Sequence, residues 1–183
     1  MADVPATHVA LIRGINVGGR NPVAMARLRE VLEARGVGAR TYIQSGNVLV
    51  TAPDLDEADV ELLVEEVLRE EFAVETVVVG VAAARLRAAV DDAPAGFGTE
   101  PELYHSDVAF LRAGVDVHQA FAAFQMREGV DAGWPGNGVV YFRRLSAERT
   151  KSRMNKVMST PFYQVMTIRN WNTSTRLVTM LDG

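Results

Sequence analysis

Apolar runs of strand length alternate along this chain with longer stretches of helical period, and their order admits few folds. Val9-Ala-Leu-Ile12 reads as a buried strand over residues 8 to 13. In residues 23 to 35, Met25, Leu28, Val31 and Leu32 share one helical face, Arg35 suits the negative end of the dipole, and Gly36 is a natural C′ residue. The start of that helix stays open between Asn21-Pro22, as N-cap and N1, and a point a few residues later. Arg40 to Gln44 and Asn47 to Thr51 are β-prone runs on either side of Ser45-Gly46, a hairpin signal. From about Asp56 to Glu71, Val60, Leu63, Val64, Val67 and Leu68 repeat at helical spacing, and Asp54 with Glu57 resembles a capping box. Glu75 to Val79 is a further strand. The resulting order, β-α-β-β-α-β, is the split βαβ or ferredoxin-like unit.

The order then recurs. A linking helix over residues 82 to 91 is ended by Ala93-Pro94-Ala95-Gly96. Ser106 to Leu111 reads as a strand, and Val117, Ala120, Phe121 and Phe124 mark a helix after Asp116. Val130 to Trp134 and Val139 to Arg143 flank a Pro-Gly-Asn-Gly turn. A helix near Lys151 to Met158 and a strand near Gln164 to Ile168 follow. The last helix begins within Asn170 to Thr173 and carries Leu177, Val178 and Leu181. The expected fold class is therefore α+β: two ferredoxin-like halves with a linking helix and a C-terminal helix. Residues 1–81 form the N-terminal subdomain, 82–104 the linker and 105–183 the C-terminal subdomain. A chain of 183 residues buries roughly 70% of its unfolded surface, so no disulfide or metal staple is required.

Composition removes several chemistries. With no cysteine there is no disulfide framework, thiolate nucleophile or cysteine-ligated zinc, which fits a cytoplasmic protein. No pair among the three histidines, His8, His105 and His118, has helical metal-ligand spacing, and no Gly-x-Ser-x-Gly motif is present. No metal or cofactor is expected. The run from Val9 to Ile12 is too short for a signal peptide or membrane span, so no membrane partner is expected and the Asn172-Thr-Ser174 glycosylation match is taken as accidental. The net charge of −4 conceals a split: fourteen acidic and three basic residues between Asp54 and Glu102, against one acidic and eight basic between Arg143 and Arg176. Such asymmetry can steer an anion toward the C-terminal third. The alternative is that each run is the solvated face of a helix.

Two stretches concentrate groups that a loop does not need for folding. In Arg13-Gly-Ile-Asn16-Val-Gly18-Gly19-Arg20, between a strand and a helix, the glycines permit positive φ and expose backbone N–H groups, and the arginines add charged donors. The spacing matches neither a Walker loop nor the dinucleotide fingerprint. Arg169-Asn170-Trp171-Asn172-Thr173 combines a planar cation, two amides, a flat ring and a hydroxyl, a set able to stack on a base or sugar face and bond its edges. Alternatively, Asn or Thr caps the final helix and Trp171 anchors it. Gln44-Ser45-Gly46-Asn47 is a third polar cluster, at a hairpin tip where such residues also serve as turn formers. Lys151-Ser152 lies near a helix start and could hold an anion or form a basic solvated turn. The acidic residues of the second helix are accounted for by capping and solvation.

Ala10-Leu-Ile-Arg-Gly-Ile-Asn-Val-Gly-Gly19, Thr41-Tyr-Ile-Gln-Ser-Gly-Asn-Val48 and Thr167-Ile-Arg-Asn-Trp-Asn-Thr173 resemble the signatures of the bacterial Domain of Unknown Function 1697 family. The resemblance spans almost the whole chain. It implies an α+β protein with ferredoxin-like halves and no settled activity. Two places depart from the family pattern. Ala93-Pro94-Ala95-Gly96-Phe97 stands where an Asn-Pro-Phe turn is usual, which leaves residues 93 to 97 without an expected role. Ser152-Arg153-Met154 replaces a Ser-Lys-Leu-like stretch and keeps its positive charge.

The expected ligand is a phosphate-bearing small molecule or nucleotide, bound where the first loop, the hairpin tip and the Arg-Asn-Trp-Asn-Thr segment converge. Arg13 and Arg169 would neutralise the anion, Gly18 and Gly19 donate from the backbone, and Trp171 stack. A nucleic-acid module is the second reading, since four-stranded ferredoxin-like sheets can stack bases on exposed aromatics, although Gly136 to Phe142 lacks the spacing of such a strand. In the third, a scaffold, the special stretches knit the two halves together. No general base is apparent, so whether the protein is an enzyme, like its oligomeric state, is left open.

Overall fold

The first apolar run becomes one of the two inner strands of a four-stranded antiparallel sheet. In the computed structural model, which describes residues 4–182, β1 (His8–Ile12) is buried along its whole length. It lies between β3 (Asn47–Thr51) and β4 (Val78–Ala82), with His8 opposite both Val50 and Ala82, and β2 (Gly38–Tyr42) pairs outside β3. The strand order is β2-β3-β1-β4. Helix α1 (Met25–Ala34) joins β1 to β2, and α2 (Glu57–Phe72) joins β3 to β4. Because strand side chains alternate, Ala10, Ile12, Val48, Val50 and Val78 pack toward Leu28 and Leu32 of α1 and Val60, Val64 and Val67 of α2. Val9, Leu11, Leu49, Val79 and Val81 point the other way.

The second sheet repeats that order as β6-β7-β5-β8. Its strands are β5 (Tyr104–Leu111), β6 (Asp131–Pro135), β7 (Val139–Leu145) and β8 (Met166–Asn170), all antiparallel to their neighbours. Helix α4 (Val117–Ala122), capped by Asp116, leads from β5 to β6. The return from β7 to β8 differs from the expected helix over residues 151 to 158: it consists of three 3₁₀ segments, Ser146–Lys151, Met154–Ser159 and Pro161–Val165. Local polar bonds compete with helix there. Ser152 Oγ accepts the Met154 N–H, the Ser159 and Thr160 hydroxyls bond the carbonyls of Lys156 and Val157, and the Arg153 N–H goes to Asp131. Met154 and Val157 nevertheless bury themselves against Leu111, Val140 and Phe142.

The remaining faces of the two sheets share one core. Helices α3 (Ala83–Asp91) and α5 (Trp171–Thr179) contribute Leu86, Ala89 and Leu177 to it, alongside Val9, Leu11 and Val81 of the first sheet and Val108, Phe110 and Tyr141 of the second. Phe97 stands at the centre of its aromatic contacts, with Tyr141 at 5.4 Å, Trp171 at 5.1 Å and Trp134 at 6.2 Å, each edge-on. The stretch 93 to 97, for which no role was expected, thus supplies a core anchor. The Tyr141 hydroxyl donates to Ala89 O at 2.8 Å, and burial, with Asp92 adding to it, pushes its pKa up to about 12.

Other boundaries move by a few residues. The strand expected at 75 to 79 lies at 78–82, and the one expected at 164 to 168 lies at 166–170. The hairpin turn has four residues, 43 to 46, rather than two. Helix α1 takes the later start, with Ala24 as its N-cap. The capping box of α2 is Asp56 with Asp59 rather than Asp54 with Glu57.

The acidic face of α2 does more than meet solvent. Its carboxylates at Glu57, Glu61 and Glu65, one turn apart, accept the N–H groups of Ala82, Gly80 and Val78 at 2.7, 3.1 and 3.0 Å. These are alternate amides of edge strand β4, so the helix closes an edge that would otherwise be open to pairing. Arg85 then bonds Glu57 at 2.8 Å and Arg112 bonds Glu61 at 2.7 Å and Glu65 at 3.2 Å. Burial raises the Glu61 pKa although Arg112 and the Gly80 N–H oppose it.

Candidate functional site

Strand β8 runs between the two halves of the molecule, and consecutive residues at its end serve different places. Side chains alternate, so Arg169, opposite Val108, points into the shared interior, whereas Asn170, opposite Asp107, does not. Arg169 is buried without a carboxylate. Its Nε–H reaches Asn47 Oδ1 at 2.7 Å. One terminal nitrogen bonds Thr167 Oγ1 and Ile168 O, both at 2.9 Å, and the other bonds Ile12 O at 2.8 Å and Gly46 O at 3.0 Å. A guanidinium has five N–H groups, and this set occupies all of them. Burial lowers its pKa to about 10. Arg169 therefore fastens β1, the hairpin turn and β8 together and keeps no donor for an anion.

The turn it meets is tightly built. Gly46 has φ 79°, and a Cβ there would lie 2.8 Å from Ile12 O. Asn47 is buried and also bonds Tyr42 O and Ser45 Oγ. Gln44 and Ser45 are exposed, and Ile43 beside them holds φ 49°, a region β-branched residues rarely enter. Asn16 closes the first loop onto this turn, donating to Val23 O and Gln44 O and accepting the Val23 N–H. Arg13 crosses to the second half, where it bonds Tyr163 O and Gln164 Oε1 and lies over the Tyr163 ring at 4.4 Å. Gly18 and Gly19 form an exposed turn closed by Arg20 N–H to Val17 O. Lys151 pairs with Glu148, and Ser152 caps its own turn, so both belong to the β7–β8 return.

Only the later part of the Arg-Asn-Trp-Asn-Thr segment borders a cavity. Asn170 caps α5 by accepting the Thr173 N–H at 2.8 Å. The preceding amides, of Trp171 and Asn172, lie in the first turn, where no intrahelical acceptor exists. These two residues and Asn170 line an opening of about 150 Å³ together with Gly98, Pro101, Tyr104, His105 and Ser106. Thr173 itself is buried. Trp171 reaches the opening because Gly98 makes room: a Cβ at Gly98 would fall 2.1 Å from Trp171 Cδ1.

Ser106 and His105, neither of which the sequence marked as a ligand group, complete this opening, and Asp107 stands beside His105. Ser106 is 8% exposed, and its Oγ has no hydrogen-bond partner. His105 is exposed, with Nε2 3.2 Å from Asp107 Oδ1, and Arg144 approaches the other Asp107 oxygen at 3.5 Å. Burial raises the Asp107 pKa although His105 and Arg144 oppose it. A signal was present: His105-x-Asp107 at strand spacing places both side chains on one face. Ser106 carried no signal, because its burial depends on what packs over it. Among the described residues no group of three or more His, Asp or Glu side chains is placed to hold a metal ion.

A family model described as "Protein of unknown function (DUF1697)" matches residues 6–141. The Thr167 to Thr173 segment lies beyond that span. Among curated proteins none matches the chain. A solved structure of a conserved bacterial protein from Streptococcus pneumoniae is similar, with a TM-score of 0.81 and 28% identity over 97% of this chain and 99% of that one.

Proposed function

The chain belongs to the DUF1697 family of proteins of unknown function, and we propose that it binds a small phosphate-bearing molecule in the opening where α5 begins. The observation that carries this reading is the meeting of a helix N-terminus with the buried, partnerless Ser106 hydroxyl at one opening. A buried hydroxyl without a partner costs about 1–3 kcal/mol. A phosphate oxygen supplies the acceptor it lacks, and the N-terminal end of the α5 dipole favours the same charge. His105, paired with Asp107, borders the same opening. The basic stretch from Arg143 to Arg176 steers an anion to this half. The volume is below the roughly 300–1,000 Å³ of sites that enclose drug-sized ligands. That suits a phosphate with a short attached group, the remainder lying in solvent, better than an enclosed nucleotide.

We read both sheets as ferredoxin-like units, and on that reading nucleic-acid binding through a sheet face loses its support. Both faces of each sheet are covered, by α1 and α2, by the shared core, and by α4 with the 3₁₀ return. The scaffold reading keeps one specific observation: Arg169 with Asn47 and Gly46 joins the halves. The fastening and the opening are neighbours in sequence with separate tasks. A cytoplasmic setting fits the cysteine-free composition, and no helix among the described residues is long and apolar enough to cross a membrane.

Thermal unfolding with inorganic phosphate, glycerol 3-phosphate, ribose 5-phosphate and nucleoside monophosphates tests the reading. A ligand at a hundred times its dissociation constant adds about 2.7 kcal/mol, a rise of roughly 5–10 °C for a chain of this size. The rise should vanish in Ser106→Val while the ligand-free midpoint stays close to wild type. No rise with any of these compounds would end the proposal.

A further inference from the structure

Arg143 is the exception among the arginines. Every other half-buried or buried arginine among the described residues bonds an oxygen, as Arg85 does Glu57, Arg112 Glu61 and Arg144 Asp107. Among the described residues Arg143 has no carboxylate partner, and its Nε is buried without a hydrogen bond. Its guanidinium lies 4.1 Å from the Tyr104 ring and 5.5 Å from the Trp134 ring. Aromatic faces cover the flat sides of a guanidinium and leave its N–H groups to point outward in the plane, the geometry that oxyanions accept two at a time. Beside it is a second opening of about 260 Å³, bordered by Tyr104, Gly129, Val130, Ala132 and Leu145. The only acidic residue there is Asp131, whose Oδ2 accepts the N–H groups of Arg127 and Arg153 and whose Oδ1 is unbonded.

We infer that Arg143 is a second seat for an oxyanion, a phosphate or carboxylate, separate from the opening at α5. Its strand neighbour places it in relation to the first. Arg143 stands opposite Ser106 across the β5–β7 pair, and Tyr104 borders both openings. A molecule with two anionic groups can therefore lie along Tyr104, with one group at the N-terminus of α5 and the other at Arg143. The inference goes beyond the proposal of a single phosphate site and stands on different atoms.

The Arg143 Nε–Hε group gives a direct readout by nuclear magnetic resonance, assigned through bonds to its own backbone so that no variant is needed. The intact protein is titrated with inorganic phosphate and, in a second arm, with acetate. The backbone amide of Asn172 reports the first opening, and the exposed Arg20 reports non-specific association. A saturating displacement of the Arg143 resonance in either arm, with Arg20 unmoved, is the expected result, and the arm that saturates at lower concentration identifies the preferred oxyanion. Arg143→Lys, which keeps the charge and loses the fork, should weaken that saturation on the order of tenfold. An Arg143 resonance that stays still, or moves in step with Arg20, overturns the inference. If Asn172 moves alone, the single-site proposal survives without the second seat. If Arg143 moves alone, the second seat survives without the first.

Discussion

Replacing Arg169 by alanine removes the one side chain that bonds β1, the hairpin turn and β8 together. Asn47 Oδ1 and Ile12 O lose a donor, whereas Gly46 O keeps the N–H of Ile12. Each buried acceptor left unpaired costs about 1–3 kcal/mol, and the vacated volume adds a cavity term. Against this stands the relief of a buried cation, whose burial already lowers its pKa to about 10. The net is a loss of about 4 kcal/mol, close to the range for breaking a buried charged network, which lowers the midpoint by roughly 8–16 °C. Urea and thermal unfolding followed by tryptophan fluorescence would measure it. A cycle with Asn47→Ala should show coupling of about 1–3 kcal/mol, because the first substitution leaves the second little to remove. A loss under about 1 kcal/mol, or lost phosphate affinity at unchanged stability, would refute the assignment of Arg169 as a fastening and return it to ligand binding.

Other substitutions test neighbouring parts of the argument. Gly98→Ala puts a methyl group onto the Trp171 ring at a residue with φ 74°, so both stability and any ligand-induced shift should fall, read in the same thermal assay. Asn170→Ala removes the N-cap of α5 and should cost about 1 kcal/mol in urea. Tyr141→Phe leaves Ala89 O without that donor and should cost about 1 kcal/mol by the same method. For Glu61 the folded pKa lies above its ordinary 4.5, so its stabilising contribution is complete below that value and is lost as pH rises through the folded pKa. Glu61→Gln abolishes this titration. The stability of wild type minus that of the variant should therefore shrink as pH rises above the ordinary 4.5 in urea, and a difference that grows with pH would contradict the assigned cause.

Much of the element order could be read directly because it depends on local periodicity. The Val60, Val64, Val67 and Leu68 stripe and the Val9 to Ile12 run have no other economical burial. The β7–β8 return was misread because a basic, polar segment with two apolar anchors, Met154 and Val157, has the same pattern whether it forms an α-helix or a series of 3₁₀ turns. The Asn-Trp-Asn segment was recognisable as a helix start bearing unusual groups, and Asn170 is its cap. Arg169 was recognisable as special, but nothing adjacent to it in sequence shows that Ile12, Gly46 and Asn47 converge on its five donors.

What the sequence determined by itself was therefore much of what acts within a few residues: the strongly periodic strands and helices, the polar start of α5, glycines at turns, and the absence of thiol chemistry. Tertiary structure decided which polar groups were left over. Glu57, Glu61 and Glu65 became edge-strand acceptors because β4 lies beside α2, whereas Ser106 and Arg143 ended without partners. Satisfaction of a buried polar group depends on atoms brought from distant positions, and periodicity along a chain carries no record of them.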